Sequence, residues 1–271
     1  MIRWVLVLVF TMSFSKSYAN EPLVFGVVPQ QTPKMLAERW QPFIDYMSRE
    51  TGLTIKFETA KDIPTFESRL ADGAYDIAYM NPFHFVVFNE KGCYRALARE
   101  KDKQLEGIIA VSAASGITSV EQLQGMEMAF PAPAAFAATI IPLSYLQQQG
   151  VSVIPRYVHS HDSVYLNLAR GFFVAGGGII RTLNAAPKEV ESALTVLWKS
   201  NGYTPHAFAA HSNVADSDVA AILNSLDLLS NDIKNKEVLS NLGFDKIIPA
   251  VDSDWDDVRA LGITSLSRPH L

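Results

Sequence analysis

His159, His161 and Asp162 stand close together and are the side-chain types that ligate metals or move protons. On an extended segment His159 and His161 share one face. A transition metal needs three or more converging ligands, and the spacing supplies no complete set, so no metal centre is expected. His161 is left as a hydrogen-bonding contact for a ligand, and Asp162 as a cap for the helix that follows. Arg181, after the run Gly176-Gly177-Gly178-Ile179-Ile180, is a second candidate. A guanidinium there can grip a carboxylate through two parallel hydrogen bonds, or it serves an ordinary ion pair. The glycine run lets backbone approach something closely, a ligand or a hinge. It is not a phosphate loop, because the lysine and Ser/Thr of that motif are missing.

Bond-making chemistry lacks its parts. No G-x-S-x-G elbow, H-E-x-x-H pair or dinucleotide fingerprint is present. The single cysteine, Cys93, sits in Lys-Gly-Cys-Tyr without an evident base and can form no intramolecular disulfide. An enzyme and a bound cofactor are therefore not expected.

The stretch Pro131-Ala132-Pro133-Ala134-Ala135-Phe136-Ala137-Ala138 has a different chemistry. A helix start offers unpaired N–H groups and the positive end of the helix dipole, so it holds an anion without side chains. Here the prolines stiffen the approach, and Ala134, Ala135 and Ala137 leave the amides uncovered. Phe136, with Phe83, His84 and Phe85 facing it, would make the pocket partly apolar. Phenylalanines are equally at home in a core, and their type alone does not choose between the two.

The surrounding pattern alternates strand and helix. Leu23–Val28 reads as a strand, Lys34–Glu50 as a helix with Leu36, Trp40, Phe43, Ile44 and Met47 on one face, and Leu53–Phe57 as a strand. Ile63–Ala71 reads as a helix and Tyr75–Met80 as a strand. The rhythm restarts with strands at Ile108–Ser112 and Met126–Phe130, a long helix over Ala134–Gln149, and an extended Val151–Val158. Ser163–Ala169 follows as a helix, with short strands at Phe172–Ala175 and Leu194–Trp198. From about Pro205 the chain reads as mostly helical, with Asp216–Leu229 and Asn231–Leu242 capped by Asp216 and Asn231. This predicts an α/β protein of two lobes, each a mixed, mostly parallel sheet flanked by helices. Crossings are placed near Glu106-Gly107 and Tyr203-Thr204. Residues 20–107 and 204–271 then form lobe 1 and residues 108–203 form lobe 2, with a ligand cleft between them.

Met1-Ile2-Arg3, the apolar run Trp4–Phe14 and the small residues of Ser17-Tyr18-Ala19 have the order of a secretory signal, cleaved after Ala19. The run is short of the roughly 20 residues a bilayer span requires, so no stable membrane insertion is expected after cleavage. Without Arg3 and Lys16, the 23 basic residues become 21 against 28 acidic ones, a balance of −7. With no basic stripe, nucleic acid is not an expected partner.

Phe25-Gly26-Val27-Val28-Pro29 resembles the first strand of the phosphonate- and phosphite-type binding proteins of ABC transporters. Gly73-Ala74-Tyr75-Asp76-Ile77-Ala78-Tyr79-Met80-Asn81-Pro82 is similar to their glycine, aspartate and proline segment. Thr118–Met126, with Leu123 and Gly125, and His161-Asp162 followed by Gly171 match in order. The resemblance implies a type II periplasmic binding protein fold and capture of a small anionic solute by hinge closure. It implies a small-molecule ligand and an ABC permease as partners; the same fold also serves as the ectodomain partner of a sensor kinase or cyclase. The implied site brings together Asn81, Phe83, His84, Phe85, Ala134, Ala135, Phe136, Ala137, His161 and Arg181. The family's serine-threonine-serine run at the helix start is here replaced by Ala and Phe. Its acid after the later glycine falls near Val174, and its tyrosine after the proline falls at Phe85.

Overall fold

The computed structural model describes residues 21–262; the leader assigned to residues 1–19 lies outside them. In chain order the elements are β1 (Leu23–Val27), α1 (Pro33–Thr51), β2 (Ile55–Thr59), α2 (Ile63–Ala71), β3 (Ile77–Met80), α3 (Pro82–Glu90), β4 (Tyr94–Glu100) and β5 (Gly107–Ser112). They continue with β6 (Glu127–Phe130), α4 (Ile141–Gln148), β7 (Ile154–Tyr157), α5 (His161–Ala169), β8 (Ala175–Ile179), α6 (Ile180–Asn184), α7 (Lys188–Glu191) and β9 (Leu194–Lys199). The remainder is β10 (Ala207–His211), α8 (Asp216–Asn231), α9 (Lys236–Leu242), β11 (Ile247–Pro249) and α10 (Asp256–Arg259).

Helix α1 shows why the sequence folds as it does. Leu36, Trp40, Phe43, Ile44 and Met47 recur at helical spacing and are all buried, Thr32 caps the first turn, and Gly52 ends the helix in the left-handed region at φ 71°. The buried face meets β1, where Phe25 packs edge-on against Phe43 at 5.7 Å. Trp40 in turn leans on Tyr79 and Phe208 from the neighbouring strands.

Two sheets result. The six-stranded sheet has the order β11-β4-β10-β3-β1-β2, and the five-stranded one β7-β6-β8-β5-β9. Pairings β1–β2, β1–β3, β6–β7 and β6–β8 are parallel; the strands next to the crossings pair antiparallel. The chain passes between sheets twice. The two passing segments meet at an antiparallel bridge, with Leu105 N donating to Tyr203 O at 2.8 Å and Tyr203 N to Leu105 O at 3.1 Å. Lys199 and Glu106 close the ribbon at 2.9 Å.

Several elements depart from the pattern reading. Ala207–His211, expected within a helical tail, is β10, buried between β3 and β4. Alanines carry no alternation to mark a strand buried on both faces. The strand expected at Phe172–Ala175 is β8, shifted onto the glycine run, and Phe172 is 70% exposed. Helix α3 and strand β4, both absent from the pattern reading, complete the first lobe. Helix α9 starts at Lys236, so Asn231 ends α8 instead of capping α9; Ala215 precedes α8, and Asp216 lies inside its first turn.

The expected long helix over Ala134–Gln149 begins instead with a widened turn, Phe136–Ile140, in which Ile140 N donates to Ala135 O and Ile141 N to Phe136 O. Pro142 has no N–H to give the carbonyl four residues back, Ala138 O, so the regular ladder cannot close there. That carbonyl lies against Gly177, and Ala137 O lies against Gly107; a Cβ at either glycine would collide with backbone. Gly177 of β8 thus admits the helix start, while Gly176 and Gly178 make room for Val164, Leu168 and Tyr165 of α5. Gly177→Ala is expected to cost about 1–3 kcal/mol by overpacking, against less than 1 kcal/mol for Ala220→Ser on the exposed face of α8. Urea denaturation of the two variants measures the difference.

Candidate functional site

Three helix starts converge where the lobes meet. In the first lobe Asn81 caps α3, its Oδ1 accepting from His84 N at 2.8 Å. The Asn81 Nδ2 crosses to the second lobe and donates to Ala134 O at 3.3 Å. From the second lobe come the widened turn before α4 and the start of α5, capped by Ser160, whose hydroxyl accepts from Ser163 N. Ser160, not Asp162, is therefore the cap. His159 lies at φ 74° in the turn before α5, so it does not share an extended face with His161.

Between these starts lies a cavity of about 20 Å³, lined from the first lobe by Val28, Gln30, Ile63, Asn81 and His206, from the crossing by Leu105, and from the second lobe by Ala135 to Ala138, His161 and Ile179. Among the described residues no protein acceptor meets the amides of Phe136, Ala137 and Ala138. The hydroxyl of Thr139 is turned away and donates to Ala132 O at 2.7 Å. His161 is 3% exposed, and its Nδ1 has no hydrogen-bond partner. His206 is buried, stacks on Tyr79 at 5.0 Å, and its Nε2 meets the Gln30 amide at 3.0 Å.

The histidines at this seam are neutral. Burial, with a smaller repulsion from Arg181, pushes the His161 imidazole down to about 4. Burial also pushes His206 well below its ordinary value, helped by Arg181 and by the other histidines. Positive potential here comes from helix starts and oriented N–H groups. The apolar core of the first lobe runs unbroken into Ala132, Ala134 to Ala138 and Ile141. Phe136 is 1% exposed and lies edge-on to Tyr203 at 5.4 Å.

The expected site residues divide. Asn81, Ala135, Phe136, Ala137 and His161 line the cavity, and Ala134 contributes its carbonyl to the Asn81 link. Phe83, His84 and Phe85 do not line it: every residue from Pro82 to Phe88 is buried, because α3 is apolar all round and sits inside the first lobe. Phe85 packs on Trp255 at 4.4 Å, and His84 Nε2 meets Glu67 Oε1 at 3.0 Å beneath Asn81. Arg181 lies beside the cavity, not in it: Nη1 is 3.5 Å from Glu100 Oε2, and Nη2 3.5 Å from Tyr79 Oη. Gln30 and His206 were not legible as site residues; only their places, just after β1 and just before β10, mark them. No group of three or more His, Cys, Asp or Glu side chains gathers to hold a metal among the described residues, and no helix there is long and apolar enough to cross a membrane.

Two mixed sheets joined by a paired double crossing, with helix starts facing each other across the seam, define a two-lobed periplasmic binding protein. A family described as ABC transporter, phosphonate, periplasmic substrate-binding protein matches residues 25–255. The chain belongs to this family and is a periplasmic solute-binding component of an ABC transporter of the phosphonate type. It is similar to the phosphate-import protein PhnD of Mycolicibacterium smegmatis, at 21% identity over 88% of this chain and 84% of that one. In fold it is similar to PhnD1 of Prochlorococcus marinus in complex with methylphosphonate, with TM-score 0.81, 16% identity, and coverage of 89% and 96%. A binding protein component of an ABC phosphonate transporter from Pseudomonas aeruginosa gives TM-score 0.81, 18% identity, and coverage of 89% and 85%.

The buried imidazole makes stability pH-dependent. With the folded-state value of His161 near 4 and the ordinary value at 6.5, the unfolded chain binds the extra proton. Its contribution is complete above pH 6.5 and is lost as pH falls toward 4, a loss of about 3 kcal/mol. Denaturation midpoints between pH 7 and 4.5 should fall steeply, and His161→Asn should flatten that slope while leaving the part due to His206.

Proposed function

We propose that this protein captures a solute bearing a small tetrahedral oxyanion of the phosphonate or phosphate class, and delivers it to an ABC permease. The observation that carries the reading is the set of free amides at Phe136, Ala137 and Ala138, which share one cavity with the unpartnered His161 Nδ1 of the same lobe. Backbone N–H groups at a helix start hold an oxyanion without side-chain charge. A neutral imidazole adds one more donor, and Asn81 supplies a polar group from the other lobe. The segments 101–106 and 200–206 act as the hinge, with lobes at 20–107 plus 204–271 and at 108–203. The mature chain begins after Ala19. As a substrate-binding component, the protein binds and releases its solute without turning it over. Nothing in the comparisons favours the sensor-subunit alternative.

Missing hydroxyls set the affinity. Each neutral hydrogen bond contributes about 0.5–1.5 kcal/mol, so this site is weaker than one with serines at the same helix start. Ala137→Ser keeps the Cβ and restores a donor; it should tighten binding between about twofold and tenfold. Calorimetry and thermal shift on the mature chain, with phosphate, phosphite, methylphosphonate, acetate and small aromatic acids, test the reading. Ligand at 100 times its dissociation constant stabilises by about 2.7 kcal/mol. Stabilisation by phosphonates or phosphate, strengthened in Ala137→Ser, is the expected result; stabilisation by carboxylates or aromatic acids alone overturns it.

A further inference from the structure

Beneath the Asn81 cap lies a buried acid–imidazole pair that does not itself line the cavity. Helix α2 turns Ile63, Phe66, Glu67 and Leu70 inward, so a carboxylate stands on an otherwise apolar face. Glu67 is 3% exposed, and its Oε1 lies 3.0 Å from Nε2 of His84, which is fully buried on α3. This histidine is its one ion-pair partner among the described residues, and a buried carboxylate is costly unless its hydrogen bonds are made. The same Nε2 lies 3.3 Å from Asn81 Nδ2. A carboxylate accepts and an amide N–H donates, so the ring nitrogen can serve only one of them. Nδ1 of His84 is buried without a partner, so nothing holds the ring hydrogen on that side instead. With its hydrogen on Nε2, His84 donates to Glu67 and cannot accept from Asn81. The Asn81 amide cannot turn over, because Oδ1 is fixed by His84 N at 2.8 Å. Both Nδ2 hydrogens are then left for the second lobe, one for Ala134 O at 3.3 Å and one for the cavity that Asn81 lines.

We propose that Glu67 is a positioning residue for solute capture: by holding a hydrogen on His84 Nε2 it denies Asn81 Nδ2 an acceptor within its own lobe and aims that amide across the seam. This rests on the reading of an oxyanion held at the helix starts, to which Asn81 brings a donor from the first lobe. Without the carboxylate the ring hydrogen moves to Nδ1, and Nε2 becomes an acceptor. Asn81 Nδ2 then turns back to the imidazole, its hold on Ala134 O weakens, and the solute loses a donor. A pair that merely ties α2 to α3 would stabilise the first lobe without deciding where the Asn81 amide points.

The test compares Glu67→Leu, which has no acceptor, with Glu67→Gln, whose side-chain oxygen still accepts, on the full mature chain. Nitrogen-15 spectra of the imidazoles read the tautomer. His84 should carry hydrogen on Nε2 in the parent chain and in Glu67→Gln, and on Nδ1 alone in Glu67→Leu. With methylphosphonate and inorganic phosphate as probes, calorimetry should show a loss of about fivefold in Glu67→Leu, rescued to within about twofold of the parent in Glu67→Gln. In an Asn81→Ser background the hydroxyl still caps α3 but no amide reaches across. There Glu67→Leu should change affinity by less than about twofold. The parent-chain tautomer needs no variant and decides the matter even where Glu67→Leu does not fold. If neither probe binds the parent chain, the oxyanion reading fails. The tautomer then still decides the positioning role, together with cross-seam nuclear Overhauser contacts of the Asn81 amide, lost in Glu67→Leu and kept in Glu67→Gln. Hydrogen on Nδ1 alone in the parent chain, a tautomer unmoved in Glu67→Leu, probe affinity unchanged in that variant, or an equal loss with and without the Asn81 amide overturns the proposal.

Discussion

Backbone pressed against backbone is the constraint on which the rest of this structure depends. The carbonyls of Ala137 and Ala138 lie against Gly107 and Gly177, closer than any side chain would allow. That contact ties the helix start to β5 and β8 at once. It holds the widened turn with its carbonyls inward and its first amides toward the other lobe. Pro142 and the glycines are two halves of one arrangement: the proline leaves Ala138 O without its ladder donor, and the glycine strand makes room for the carbonyl so released. The alanines add no side chain that would cover the amides.

The electrostatics follow from this packing. A seam continuous with the first lobe's apolar core is hostile to charge, and the imidazoles of His161 and His206 are held neutral by burial. In such a medium fixed dipoles act with little competition from water. Arg181 and Glu100 pair beside the cavity, and the remaining ion pairs lie nearer the surface.

Much of the fold was legible because amphipathic period and turn residues agree. Helix α1 and helix α2 fall where the apolar spacing placed them, and β1, β5 and β9 lie within a residue of their expected bounds. Legibility failed where packing overrode pattern. Ala207, Ala209 and Ala210 carry no strand signal, yet they are buried in β10 between β3 and β4. The glycine run, read as a close backbone approach to a ligand or a hinge, is a strand whose close neighbours are the helix start at Gly177 and side chains of α5 at Gly176 and Gly178. At the site, His161 and the alanine stretch stood out by type and by family likeness. Gln30 and His206 did not, because they belong to no shared motif and converge only through the double crossing.

The distance between family and ligand has a physical basis in the same features. What this chain shares with relatives at 16–21% identity is the order of strands and the double crossing, properties maintained by buried apolar positions that tolerate exchange. Where the family resemblance implies hydroxyls at the helix start, this chain has alanines, and Phe136 lies edge-on to Tyr203. Amides are retained by the fold itself, so the capacity to hold an oxyanion survives such substitutions. The grip on its individual oxygens, and whatever reads the rest of the solute, do not.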